Sequence, residues 1–228
     1  MTGMVQYELD GGVATIVMDD GKANALSRDM LGELGAAFDR AESDGAVVVL
    51  TGRPGRFSGG FDLNVLNAGG PDARAMLRAG FDLSERMLSF PTPIVVACTG
   101  HAVAMGLFLM CSADYRIGAD GPFRVTANEV AIGLPLPLAA IEILRIRLAP
   151  SHLQRAANLA EVYTPADAVT AGLLDAVAAP DDVIATAQEV ARGFLELDLA
   201  AHATTKLRVR AASLEALHAA IEGDFRPA

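Results

Sequence analysis

Two short runs, Val47-Val48-Val49-Leu50 and Ile94-Val95-Val96-Ala97-Cys98, constrain this chain more than any other feature. Both are wholly apolar and rich in β-branched residues. Neither alternates with polar residues, so each reads as a strand covered on both faces. Strands of that kind need a layer on either side. Met30, Leu31, Leu34, Ala37 and Phe38 recur at helical spacing behind Ser27, a residue suited to capping a helix start, and a second helical stretch is predicted from Ala73 to Leu88. Strand, helix and strand in succession predict crossover connections and an α/β fold.

The rest of the pattern is arranged around those runs. Val5, Tyr7 and Leu9 alternate with polar residues, Asp10-Gly11-Gly12 supplies turn chemistry, and Val13 to Met18 returns as the second arm of a hairpin. Pro91-Thr92-Pro93 forces an extended approach to Ile94. Ala102 to Cys111 is apolar nearly all round and is predicted as a buried helix. Tyr115 to Ile117 and Phe123 to Thr126 read as short strands about a Gly121-Pro122 turn. Helices dominate from Pro137. Beyond Pro180, Val183, Ile184, Ala187, Val190, Ala191 and Phe194 form one stripe, for which a neighbouring subunit is the expected cover.

Composition narrows the function. The 228 residues, 52% hydrophobic and 20% charged, suffice for one large domain with a real core. A net charge of −10 without a basic run repels nucleic acid and acidic lipid surfaces. The apolar runs fall short of the roughly 20 residues that span a bilayer, and the start Met-Thr-Gly-Met lacks a basic leader, so a cytoplasmic protein is expected. Cys98 and Cys111 sit in apolar runs, as buried thiols do. His101, His152, His202 and His218 lack metal-ligand spacing, and no metal is assigned. Neither nucleotide-binding glycine motif is present. Ser58 lies among glycines, but Arg56 stands where a nucleophile elbow needs glycine.

Three features remain. Phe57-Ser58-Gly59-Gly60-Phe61-Asp62-Leu63 and Thr99-Gly100-His101-Ala102-Val103-Ala104-Met105-Gly106 are glycine-punctuated turns that follow buried strands and precede helices. Two such turns at one end of a sheet could aim backbone N–H groups at one point and stabilise a developing oxyanion. Spacing alone leaves plain tight turns as the alternative. The third feature is Glu129, in an otherwise apolar segment. Facing inward it would be desolvated toward a value useful for proton transfer; facing outward it would be an ordinary carboxylate near a helix start.

These segments, in this order, resemble the crotonase superfamily of enoyl-CoA hydratases and isomerases, and the likeness covers nearly the whole chain. Lys22-Ala23-Asn24-Ala25-Leu26, the Phe57 to Leu63 turn, Pro93 to Ala97, Asp114-Tyr115-Arg116-Ile117 and Thr164 through Asp175 all fall where that family has its signatures. The resemblance implies a spiral of repeated ββα units over residues 1–180, with a helical segment over 181–228 used in contacts of a homotrimer or dimer of trimers. It implies acyl-CoA thioesters as substrates, with coenzyme A part of the substrate and no separate cofactor. The backbone N–H groups of Phe61 and Met105 would form an oxyanion hole. Lys22 would lie near the coenzyme's phosphates, with Arg53 and Arg56 as further cations, and the Ala25 and Phe61 segments near its adenine.

Departures from the family pattern point to a subfamily. Phe108 stands where hydratases carry their first glutamate, and Glu129 where they carry the second. A lone carboxylate is poorly equipped to add water, which needs both a base for the water and a proton donor, but it suffices for a 1,3-proton shift. Ala127-Asn128-Glu129 is similar to the Leu-Asn-Glu segment of single-glutamate Δ3,Δ2-enoyl-CoA isomerases. A hydratase-like reaction or a silent acyl-CoA-binding member are the alternatives. Met105, in place of a family glycine, is expected to narrow the pocket with its side chain. His101 reads either as a second acid or base or as a packed histidine bonded to backbone. Asp62 and Asp114 read as turn and framework carboxylates.

Overall fold

The computed structural model describes residues 3–225. The hairpin forms as expected: β1 (Val5–Asp10) pairs antiparallel with β2 (Val13–Met18). From β2 the chain passes through β3 (Ala25–Leu26) into α1 (Arg28–Ser43), whose start is capped by the Ser27 side chain accepting the Met30 N–H. Next come β4 (Val47–Thr51), β5 (Gly55–Ser58) and β6 (Gly60–Phe61), followed by α2 (Leu63–Ala68) and α3 (Gly70–Ser89). The cycle repeats as β7 (Ile94–Cys98), β8 (Gly100–Val103) and α4 (Met105–Cys111). It repeats again as β9 (Tyr115–Ala119), β10 (Val125–Thr126) and a 3-10 turn at Val130–Ile132.

Among the described residues the main sheet has the order β1-β2-β4-β7-β9-β11, parallel throughout except for the opening hairpin; β11 is Ala176–Ala178. The second strand of successive turns goes to a separate layer, β10-β8-β5, also parallel, beside the small pair β3-β6. That is the expected spiral of ββα units. Its turns run from the ends of β4 and β7 toward one side of the molecule, where the two glycine-rich segments meet.

The strands are covered on both faces, as their composition requires. Val48, Leu50, Ile94, Val96 and Cys98 join the interior core with α1 and α3 residues such as Phe38, Met87 and Leu88. Val47, Val49, Val95 and Ala97 point the other way, into a cluster with Val183, Ala187 and Ala191 of α8 (Val183–Phe194). Each buried valine contributes roughly 1.5–3 kcal/mol, so neither layer is dispensable.

Several expectations need correction. The apolar run from Ala102 is not one helix: Ala102 and Val103 belong to β8, and helix begins only at Met105, because a segment buried in a strand layer is as apolar as one buried in a helix. The second helical stretch starts earlier than Ala73, at Gly70, with α2 before it. Phe123 and Arg124 lie outside the short strand β10. The stripe beyond Pro180 is covered by this chain's own sheet, so it supplies no argument for a subunit contact. The last helix, α9 (Leu199–Asp224), packs on α3 and on α5 (Leu138–Arg147), and its Leu217, Ala220 and Ile221 share the interior core with the spiral. Between α5 and α8 lie α6 (Pro150–Leu159) and α7 (Pro165–Ala171). No described helix is long and apolar enough to cross a membrane.

Candidate active site

The first glycine-rich segment is held by Asn24. This residue is buried, sits at φ 50°, and uses its side chain as a clamp: the amide donates to the carbonyls of Met18 at 2.9 Å and Phe57 at 3.1 Å, and its oxygen accepts the Asp20 N–H at 3.0 Å. Asparagine tolerates that left-handed backbone better than most residues. The Ser58 hydroxyl donates to the Asn24 carbonyl at 2.7 Å and accepts the Gly60 N–H at 3.2 Å, which explains why it is no nucleophile. The Gly59 N–H completes the lock on the Ala23 carbonyl at 2.8 Å. Upstream, the Asp20 carboxylate accepts the N–H groups of Lys22, Asn24 and Ala25 at 2.7–2.9 Å. Partial burial opposes its ionisation, but these donors, with Arg53 nearby, outweigh it and hold the carboxyl below its ordinary value.

The second segment comes up against the first at Gly60. Its φ of 95° and its packing both demand glycine, since a Cβ there would sit 3.0 Å from the Ala104 methyl and 3.4 Å from the Met105 nitrogen. Ala104 carries the strain of the second turn, with φ 51° and ψ −126°. It is held by its N–H on the Thr126 carbonyl at 3.0 Å and by its own carbonyl, which accepts from Leu107 and Phe108. Met105 opens α4, so its N–H has no carbonyl one turn back within the helix. The backbones of β6 and the α4 start, which carry Phe61 and Met105, are therefore neighbours. The Met105 side chain does not narrow the pocket: it is fully buried in the core, and Ala104 lines the cavity instead.

That cavity encloses about 340 Å³. Gly59, Phe61 and Ala104 contribute from the two turns, Leu63, Leu66, Leu77 and Phe81 from α2 and α3, Phe108 from α4, and Asn128, Glu129, Ile132, Leu134, Pro135 and Pro137 from the segment after β10. Among these lining residues Glu129 is the one ionisable group. Burial pushes its carboxyl up to about 7, against the opposing effect of a bond from its own backbone N–H. Its Oε2 is buried and, among the described residues, has no hydrogen-bond partner. Of its sequence neighbours Val130 is 44% exposed and lies outside the lining, whereas Ile132, though 55% exposed, is itself one of the walls. Phe108 is buried and stacks on Phe81 at 6.2 Å between centroids.

The other candidates are not gathered here. His101 stands in β8 away from the cavity lining, its Nδ1 accepting the Arg124 N–H at 3.0 Å and its ring edge-on to Phe123 at 5.4 Å. Burial, with Arg56 and Arg124 nearby, lowers its pKa. This is the packed arrangement. Lys22 is exposed in the loop before β3 and Ala25 half-buried in β3, and the Arg53 guanidinium donates to the Lys22 carbonyl at 3.0 Å. Asp62 caps α2 through the Asn64 N–H. Asp114 accepts from the Ile94 N–H and from buried Lys206 and Arg210, as a framework carboxylate should. The Cys98 and Cys111 thiols are raised to about 12 and 11, chiefly by burial.

Sequence reasoning missed Asn24 as a clamp and Phe81 as a wall of the cavity. An asparagine in the link between a strand and a helix, a residue type that tolerates left-handed backbone, was the one available signal; the wall residues are ordinary apolar positions until the fold brings them together.

A ββα spiral that converges two backbone turns on an apolar cavity is the architecture of the crotonase class. The chain belongs to the enoyl-CoA hydratase/isomerase family, whose sequence profile matches residues 8–226. An enoyl-CoA hydratase from Mycobacterium marinum superposes with a TM-score of 0.94 at 48% identity, covering 97% of each chain. An enoyl-CoA isomerase from Mycobacterium tuberculosis does so at 0.94 and 46%, covering 98% of each. The human mitochondrial enoyl-CoA delta isomerase 1 is 28% identical over 219 residues, 94% of this chain and 72% of that protein. The protein is therefore an enzyme of a family acting on acyl-CoA thioesters.

Proposed function

We propose that the protein is an enoyl-CoA isomerase that moves the double bond of a 3-enoyl-CoA to the 2-position. The observation that carries this reading is a single ionisable side chain, Glu129, in a cavity whose other walls, Phe108 included, are apolar or uncharged. In the deprotonated form Glu129 takes a proton from C2. The electron pair moves into the thioester, and the carbonyl oxygen gains negative charge held by the N–H groups of Phe61 and Met105. The carboxylic acid then returns its proton at C4, the pair shifts back, and the double bond lies between C2 and C3. One group serves in turn as base and acid, and no water is consumed.

In the same reading coenzyme A enters as part of the substrate, with Lys22, Ala25, Arg53 and Arg56 beside its polar end and no separate cofactor. The protein works in the cytoplasm as a trimer or dimer of trimers. The test is turnover of a 3-enoyl-CoA by the purified protein, followed by the absorbance of the conjugated product. Sustained turnover supports the isomerase. Its absence, with acyl-CoA still bound, favours a silent binder.

A further inference from the structure

Gly80 lies in the middle of α3, buried, on ordinary right-handed helical backbone. Glycine weakens a helix there relative to alanine, so its presence needs a reason other than conformation. The reason is space. A Cβ on Gly80 would fall 2.6 Å from both Cε1 and Cζ of Phe61 and 3.4 Å from Cε of Met105. The side chains of the two residues whose N–H groups face the thioester oxygen thus share one notch in α3.

We propose that Gly80 is a specificity-determining position, seating the Phe61 ring outside the acyl space and so fixing the length of chain the cavity accepts. A methyl in the notch must displace something. The Phe61 backbone is held by the parallel pairing of β6 with β3 and by the Ser58–Asn24 lock beside it, so the ring moves rather than the chain. Phe81 stands against the ring at 6.3 Å between centroids. The open direction is the cavity that Phe61 already lines. The displaced ring therefore shortens the acyl space and leaves the backbone N–H in place. This inference rests on the reading that the cavity holds an acyl chain.

The test uses dissociation constants of butyryl-CoA and decanoyl-CoA, measured by calorimetry on the intact protein and on Gly80→Ala, Phe61→Leu and the double variant. In Gly80→Ala, decanoyl-CoA should weaken by at least about tenfold relative to butyryl-CoA, a magnitude typical of misfit in an apolar pocket. Turnover of a short 3-enoyl-CoA should change little. The double variant should restore the ratio, because leucine fits where the ring no longer does. A folded Gly80→Ala protein with an unchanged ratio, or equal weakening of both ligands that Phe61→Leu does not relieve, overturns the proposal. Phe61→Leu alone needs no room at Gly80 and should favour decanoyl-CoA; an unchanged ratio there also counts against it. Failure of the unaltered protein to bind either thioester would instead overturn the functional reading, and the inference with it.

Discussion

The Ser58 hydroxyl donates to the Asn24 carbonyl at 2.7 Å, and the Asn24 amide bonds the carbonyl of Phe57, the residue next to Ser58, at 3.1 Å. Neither side chain faces the cavity, yet together they fix the turn that ends in Phe61. Asn24→Ala removes the amide from two buried carbonyls and places alanine at φ 50°. It should cost about 2–4 kcal/mol, read as a lowered denaturant midpoint, and should lower kcat more than it raises the dissociation constant of a saturated acyl-CoA. Ser58→Ala should do the same more mildly.

A carboxylate at the opposite end of β7 should affect stability without affecting chemistry. Asp114 bonds the Ile94 N–H at 2.8 Å, Lys206 at 2.7 Å and Arg210 at 2.9 Å, all largely shielded from water. Asp114→Ala leaves buried Lys206 and half-buried Arg210 without their carboxylate and should destabilise by about 3–5 kcal/mol in urea unfolding. The folded fraction should keep its kcat, since the turns bearing Phe61 and Met105 lie beyond the far ends of the strands.

The hydration question turns on Phe108. With a buried phenyl ring where a second carboxylate would hold water, hydration of crotonyl-CoA should run at least about 100-fold slower than isomerisation of a 3-enoyl-CoA. Both rates come from one enzyme preparation by absorbance. Faster hydration would mean that another group supplies the missing acid.

Glu129 also sets a pH dependence. With its carboxyl raised to about 7, kcat/KM should climb about tenfold per pH unit up to that value and level off above it, as required of a base that must be ionised. Stability moves the other way. A carboxyl raised above its ordinary 4.5 favours the fold while protonated, fully below about 4.5, and that contribution is lost as pH rises through about 7. Glu129→Gln should therefore raise Tm at pH 8, by an amount equivalent to about 1–3 kcal/mol, and leave it unchanged near pH 4.

How much of this could be read from the chain follows from where the information resides. Val47–Leu50 and Ile94–Cys98 announced strands covered twice because each is short, rich in β-branched residues and without polar alternation, and the Ser27 cap marked its helix. The ordered motifs singled out Phe61 and Glu129, which line the cavity, and Met105, whose side chain lies in the core. Periodicity could not divide β8 from α4, because Ala102 and Leu107 are both fully buried and a buried strand and a buried helix look alike. Nor could it name the partner of the α8 stripe, which lies more than 80 residues earlier in the chain, on β4 and β7. The outcome for Glu129 was likewise hidden: its neighbour Val130 is exposed, and much of the cavity it lines is built by α2, α3 and α4 residues distant in the chain.

If Glu129 carries the proton from C2 to C4, Glu129→Gln must stop the reaction without emptying the cavity. Glutamine keeps the size and removes the base. The measurement is kcat on a 3-enoyl-CoA together with the dissociation constant of a saturated acyl-CoA, for both proteins. The kcat should fall about 10²–10⁴-fold or more with binding nearly unchanged, since binding rests on backbone donors and apolar walls. A variant that retains most of its turnover would contradict it, leaving the carboxylate structural and the reaction in need of another base.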